Sequence, residues 1–255
     1  MIVIAIIVFF ALSGFLTWYL LSKDKGEREP TGPLWGAIGF GVLAVILAMI
    51  LEAIFLPDTD QLSKSHDAGQ LFAASMGVGI IEELCKYLPL AAFIYQKRYF
   101  NEHTDGILYF ALAGIGFGLP EDVIYTLDSG ATTGFVRALL GPFFHSVTTA
   151  TVGYVLIRSK LSGKGFWAPL PVLLLMMFVH GLYDFGVLYE NLFFWGISLV
   201  ITVGLTIFIF KIAARAKVRD QQIGLSVVGV NAFCRACGAP NPKRSLYCTR
   251  CGRHA

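Results

Sequence analysis

Apolar residues in this chain run in long blocks separated by short polar islands, at about 1–21, 34–56, 70–95, 106–127, 134–157, 166–189 and 191–211. A block of about 20 such residues can cross a hydrocarbon layer roughly 30 Å thick. No water is available there, so each segment must satisfy its own backbone, and the seven blocks predict seven membrane-spanning helices. The fold class expected is an all-α polytopic membrane protein. The first block is followed rather than preceded by its charges (Lys23, Lys25, Arg28) and lacks a small-residue cleavage site, so it reads as a retained helix rather than a secretory signal. Composition strengthens the picture: of 255 residues 56% are hydrophobic and 15% charged, with a mean hydropathy of +0.67. A soluble globule of that make-up would be left with apolar surface. The net charge of +3 is too small to argue for a nucleic-acid partner.

The polar islands alternate in charge. Lys23, Lys25 and Arg28, then Lys97 and Arg98, then Arg158, Lys160 and Lys164, occupy the first, third and fifth connections, and Lys211, Arg215, Lys217 and Arg219 follow the last block. The second connection offers Lys64 and the fourth and sixth offer none, which puts the N-terminus outside and the C-terminal part in the cytoplasm. Residues 1–213 read as the membrane domain, 214–229 as a linker and 230–255 as a small polar domain. The last carries Cys234-Arg-Ala-Cys237 and Cys248-Thr-Arg-Cys251, each pair followed by Gly. Two such knuckles suit a structural Zn²⁺ ribbon with four thiolates and no open coordination position; paired disulfides would be disfavoured on a reducing face. The basic residues from Lys211 onward suit anionic lipid headgroups.

Ionisable residues inside the spans cost a few kcal/mol each and need a partner, water or a function. They are Glu52, Glu82, Glu83, Lys86, Glu121, Asp122, Arg137, His145, His180 and Asp184. At about 1.5 Å rise per residue, Glu82, Glu83, His145 and His180 fall in one layer near the midplane, with Glu121, Asp122 and Asp184 nearer the outer surface. Lys86 is placed at i+4 and i+3 from the two glutamates, so it can neutralise one and leave the other to face a cavity. Asp184, at i+4 from His180, can orient that imidazole. Gly141-Pro142 predicts a loosened helix before His145. Glu52 and Arg137 read as snorkelling or structurally paired residues, and Cys85 as an apolar packer.

Ile81-Glu82-Glu83-Leu84-Cys85-Lys86 resembles the EExxK motif of the PrsW family of intramembrane proteases. Asp105-Gly106 and Gly116-Phe117-Gly118-Leu119-Pro120-Glu121-Asp122 are similar to that family's second segment, with Asp122 where Asn is usual. His145-Ser-Val-Thr148-Thr149-Ala150 with Gly153-Tyr154, and His180-Gly-Leu-Tyr-Asp184-Phe, resemble its two histidine helices. The resemblance implies an endopeptidase acting on membrane-bound proteins, an anti-sigma-like factor among them, with Glu82, Glu83, His145 and His180 as catalytic residues and Lys86, Glu121, Asp122 and Asp184 in support. Two mechanisms stay open at this point: a glutamate base with histidines that position water, or a catalytic Zn²⁺ held by His145, His180 and one glutamate. Two other classes use similar residues, a proton-coupled transporter and a membrane scaffold displaying the ribbon. The sequence leaves the oligomeric state undetermined.

Overall fold

Seven long helices form in the order of the seven apolar blocks: α1 (Ile2–Lys23), α2 (Thr31–Phe55), α3 (Ala68–Ile94), α4 (His103–Asp128), α5 (Ala131–Leu161), α6 (Leu170–Leu188) and α7 (Leu192–Ser226). The computed structural model describes the chain except Met1 and residues 24–28, 58, 60, 63–66, 129–130, 190, 227–229, 234–236, 239, 243–250 and 252–255. Six of the helices are long and apolar enough to cross a membrane; α3 is as long but carries Glu82, Glu83 and Lys86 at its centre. Pro89, Pro120 and Pro142 all lie inside helices that continue past them. Neighbouring helices make such interruptions tolerable in a membrane bundle. Helix α7 runs on to Ser226, through most of the stretch expected as a linker. Beyond it, β1 (Val230–Phe233) pairs antiparallel with β2 (Pro240–Pro242).

Helices α4 and α5 are interior, 78% buried over their apolar windows, whereas α1, α2 and α7 are about one-fifth buried and turn apolar faces such as Val3, Trp35 and Val200 outward. Small residues along α4 let α2 and α5 close on it, as lipid-embedded interfaces require. A Cβ on Gly116 would sit 2.2 Å from the Ile38 carbonyl of α2, and one on Gly114 2.2 Å from the His145 carbonyl of α5. Gly106 and Gly153 meet reciprocally, each Cβ 2.3 Å from the other's carbonyl.

The end of α4 nearest α7 is tied down by acids. Asp220 of α7 accepts from the His103 and Thr104 amides at 2.9 and 3.0 Å and from the Thr104 hydroxyl at 3.1 Å, and lies 2.6 Å from His103 Nδ1. An acidic side chain from another helix thus caps the free amides of α4. Asp105 accepts from the Asn101 and Glu102 amides, closing the turn before the helix. An apolar core of Tyr87, Leu90, Tyr109, Phe110, Leu156 and Met176 fills this half of the bundle. The buried cluster of Glu82, Glu83, Lys86, Glu121, Asp122, Arg137 and Asp184 lies in the other half.

Candidate active site

Helix α3 presents Glu82, Glu83 and Lys86 on successive turns to a chamber walled by α4, α5 and α6. All three are nearly inaccessible, as are Glu121, Asp122, Arg137, His145, His180 and Asp184. Lys86 Nζ is the hub. It donates to Glu82 Oε2 at 3.0 Å and to Glu83 Oε1 at 3.1 Å, and lies 3.1 Å from His145 Nδ1, 3.4 Å from His180 Nδ1 and 3.9 Å above the Phe117 ring. The expectation that Lys86 neutralises one glutamate is therefore corrected: the ammonium sits between both carboxylates, because a helical turn brings i+3 and i+4 partners equally close.

The imidazoles are held from one side. His180 Nδ1 lies 2.8 Å from Glu83 Oε1, and the Thr148 hydroxyl donates to the same oxygen at 3.5 Å. Phe144 packs edge-on against His180 and stacks on Tyr183 at 3.8 Å. The Nε2 atoms face the other way. His180 Nε2 is 3.2 Å from Glu82 Oε2 and 3.4 Å from Asp184 Oδ2, and His145 Nε2 is 2.9 Å from Glu121 Oε2. His145 Nε2, His180 Nε2, Glu121 Oε2 and Asp184 Oδ2 are all buried, and beyond these approaches none of them has a further hydrogen-bond partner among the described residues. Ligand atoms of Glu82, His145 and His180 lie within 4.8 Å of one another, close enough to share one ion.

Charge points the same way. Two buried cations, Lys86 and Arg137, face the carboxylates of Glu82, Glu83, Glu121, Asp122 and Asp184. An excess of buried negative charge is costly unless a metal or protons offset it. The convergence of two buried imidazoles and a carboxylate, together with the charge excess, fits a divalent metal held by those three groups.

Counting depth along separate helices placed Glu121 above the glutamate–histidine layer. The bundle corrects this, since Glu121 touches His145 itself. Arg137 does not snorkel; it is fully buried, donating from Nε to Asp122 Oδ1 at 2.9 Å and from Nη2 to Glu121 Oε1. Gly141-Pro142 does not open α5. Gly141 instead makes room for Asp122, whose Oδ2 would lie 1.9 Å from a Cβ there. Glu52 does not snorkel either: its Oε1 is buried and unpartnered in a cavity of about 420 Å³ between α2, α3 and α4 that Glu82, Glu121, Phe117 and Tyr125 also line. Sequence reasoning missed this residue as part of the site, although its place one turn from the end of α2 was the available signal. Cys85 packs with Val45, Ala48 and Phe117, as an apolar residue would. Of the proposed ribbon ligands, Cys234 and Cys248 lie outside the described residues.

Comparison with known proteins gives a concordant result. Residues 29–214 match the family described as PrsW family intramembrane metalloprotease. The chain is 29% identical over 171 residues to Protease PrsW of Bacillus subtilis (strain 168), covering 66% of this chain and 75% of that one. It is 29% identical over 182 residues to Protease PrsW of Geobacillus kaustophilus (strain HTA426), covering 70% and 76%. No solved structure matches.

Proposed function

Because the chain belongs to the PrsW family of intramembrane metalloproteases, and is thus a membrane-embedded protease, we propose that it hydrolyses peptide bonds of membrane-bound proteins at the cluster of Glu82, His145 and His180. The single observation that carries this placement is the convergence of the buried His145 and His180 on Glu82, whose side chain also lines the cavity. The transporter and scaffold readings give way to membership of a protease family.

His145 and His180 would hold the metal through Nε2, and Glu82 through its carboxylate. A divalent metal such as Zn²⁺ supplies Lewis acidity when bound, acidifying a water and polarising a peptide carbonyl. The rest is the work of the chain. Glu83 accepts from His180 Nδ1, which fixes the tautomer with a free Nε2 lone pair, the arrangement in which carboxylates commonly back metal-binding histidines. Glu83 is therefore occupied, and the proton of the attacking water passes to Glu121, whose Oε2 is not engaged by Arg137 and whose side chain lines the cavity. Lys86 donates to both Glu82 and Glu83 and so places one positive charge between their carboxylates. Asp184 Oδ2 lies 3.4 Å from His180 Nε2, on the side of the ring where the ion would sit, and Asp122 shares Arg137 with Glu121.

One observation favours a second reading, glutamate-dependent hydrolysis without a metal. An ammonium donating to His145 Nδ1 leaves the proton of that ring on Nε2, where it can stabilise an oxyanion but not bind an ion. Cleavage of a membrane-anchored substrate by protein stripped of metal, with the ribbon cysteines replaced by serine, separates the two. Under the metal reading activity disappears with the ion and returns with zinc; under the other it persists. In either case Glu82→Ala and His145→Ala are expected to lower turnover by about 100-fold or more while the protein still inserts. Full activity in both variants would remove the site.

The C-terminal cysteines are proposed as a cytoplasmic Zn²⁺ ribbon, and the basic α7 extension as its contact with lipid headgroups. A membrane-anchored anti-sigma-like factor is the substrate type that the family resemblance supports, testable by capturing membrane proteins on a Glu82→Gln variant.

A further inference from the structure

Arg137 is the largest fully buried side chain among the described residues, and it touches no member of the Glu82, His145 and His180 trio. Its contacts are nonetheless specific. Nε donates to Asp122 Oδ1 at 2.9 Å, Nη2 donates to Glu121 Oε1, and the guanidinium lies 3.9 Å over the Tyr125 ring. Asp122 is in turn seated against α5 where Gly141 leaves room, and its main-chain carbonyl accepts from the Thr126 hydroxyl at 2.6 Å. A planar fork that engages two adjacent carboxylates and stacks on a ring has one orientation, which an ammonium would not impose.

The consequence falls on Glu121. With Oε1 taken by Arg137, rotation of the carboxylate is blocked, and Oε2 is left facing His145 Nε2 at 2.9 Å. We propose that Arg137 is a positioning residue of the protease site: it clamps Glu121 against Asp122 so that the second oxygen of Glu121 is held at His145. It acts through Glu121 and contacts no substrate itself. The inference rests on the placement of the site at Glu82, His145 and His180.

The test compares Arg137→Lys, Arg137→Met/Asp122→Asn and His145→Ala in the full chain. Arg137→Lys keeps the charge and loses the fork. The double variant removes one positive and one negative charge together, so it stays folded if the single change does not. Each is measured for kcat and KM on a membrane-anchored substrate, for thermal melting, and for the visible spectrum of bound Co²⁺, which reports histidine and carboxylate coordination apart from thiolates. The clamp predicts a kcat lowered by about 10–100-fold in both Arg137 variants, KM and melting temperature near wild type in at least one of them, and an altered Co²⁺ spectrum or affinity. Wild-type kcat in either variant overturns it. So does a loss of kcat that only tracks a fall in melting temperature with the Co²⁺ signal unchanged. Should His145→Ala stay active, the placement of the whole site fails; should His145→Ala be dead and Arg137→Lys fully active, only the clamp fails.

Discussion

Around Lys86 four side-chain atoms converge on one ammonium: Glu82 Oε2, Glu83 Oε1, His145 Nδ1 and His180 Nδ1, all within 3.4 Å. Removing one partner of a buried ion pair strands the other, at a cost of about 3–5 kcal/mol. Lys86→Met is therefore expected to lower thermal stability by about that amount. Glu82→Gln/Lys86→Met should recover part of it, and melting of the purified proteins checks both. The i+3 and i+4 spacing made the Lys86 pairing with α3's own glutamates legible in the sequence. The contacts to His145 and His180 were not, because nothing in a linear pattern sets the rotation of one helix against another. Arg137 shows the same limit. Its charge within a span was visible, but its partners on α4 exist only once α4 and α5 are packed together.

At the scale of elements, α4 decides the shape of the site, because its small residues let α2 and α5 approach and its far end carries Glu121. Gly153→Leu would drive a side chain into the Gly106 carbonyl and the Phe110 ring. Such overpacking costs about 1–3 kcal/mol or more, and should separate α4 from α5 enough to reduce cleavage as well as melting temperature. At the opposite end Asp220→Ala removes the cap supplied by α7. The expected loss is about 1–2 kcal/mol in stability with kcat preserved, since the cap lies far along α4 from Glu121. The glycine run of α4 announced close helix packing in the sequence. The cap did not announce itself, because Asp220 follows His103 by 117 positions and falls where the apolar block had already ended.

For the molecule as a whole, apolar outward faces on α1, α2 and α7 around the interior α4 and α5 match a bundle solvated by lipid. Reporter fusions check the proposed orientation: fusions after residues 28, 98 and 162 are expected to report a cytoplasmic position, and those after 64 and 190 an external one. Cys237→Ser is expected to reduce bound zinc while leaving cleavage of a supplied substrate intact, as a structural ribbon remote from the chemistry would. Seven long helices, the charge alternation of their connections and the residue types of the candidate site were legible in the sequence alone, because hydrocarbon imposes length, apolarity and a penalty on every buried charge that is local to each segment. Which oxygen meets which nitrogen was decided only by tertiary structure. Glu121 joining the histidine layer, Glu83 turning to His180, Arg137 forking two carboxylates and Glu52 entering the cavity all depend on helix rotation and depth. Those are fixed by packing between segments distant in the chain.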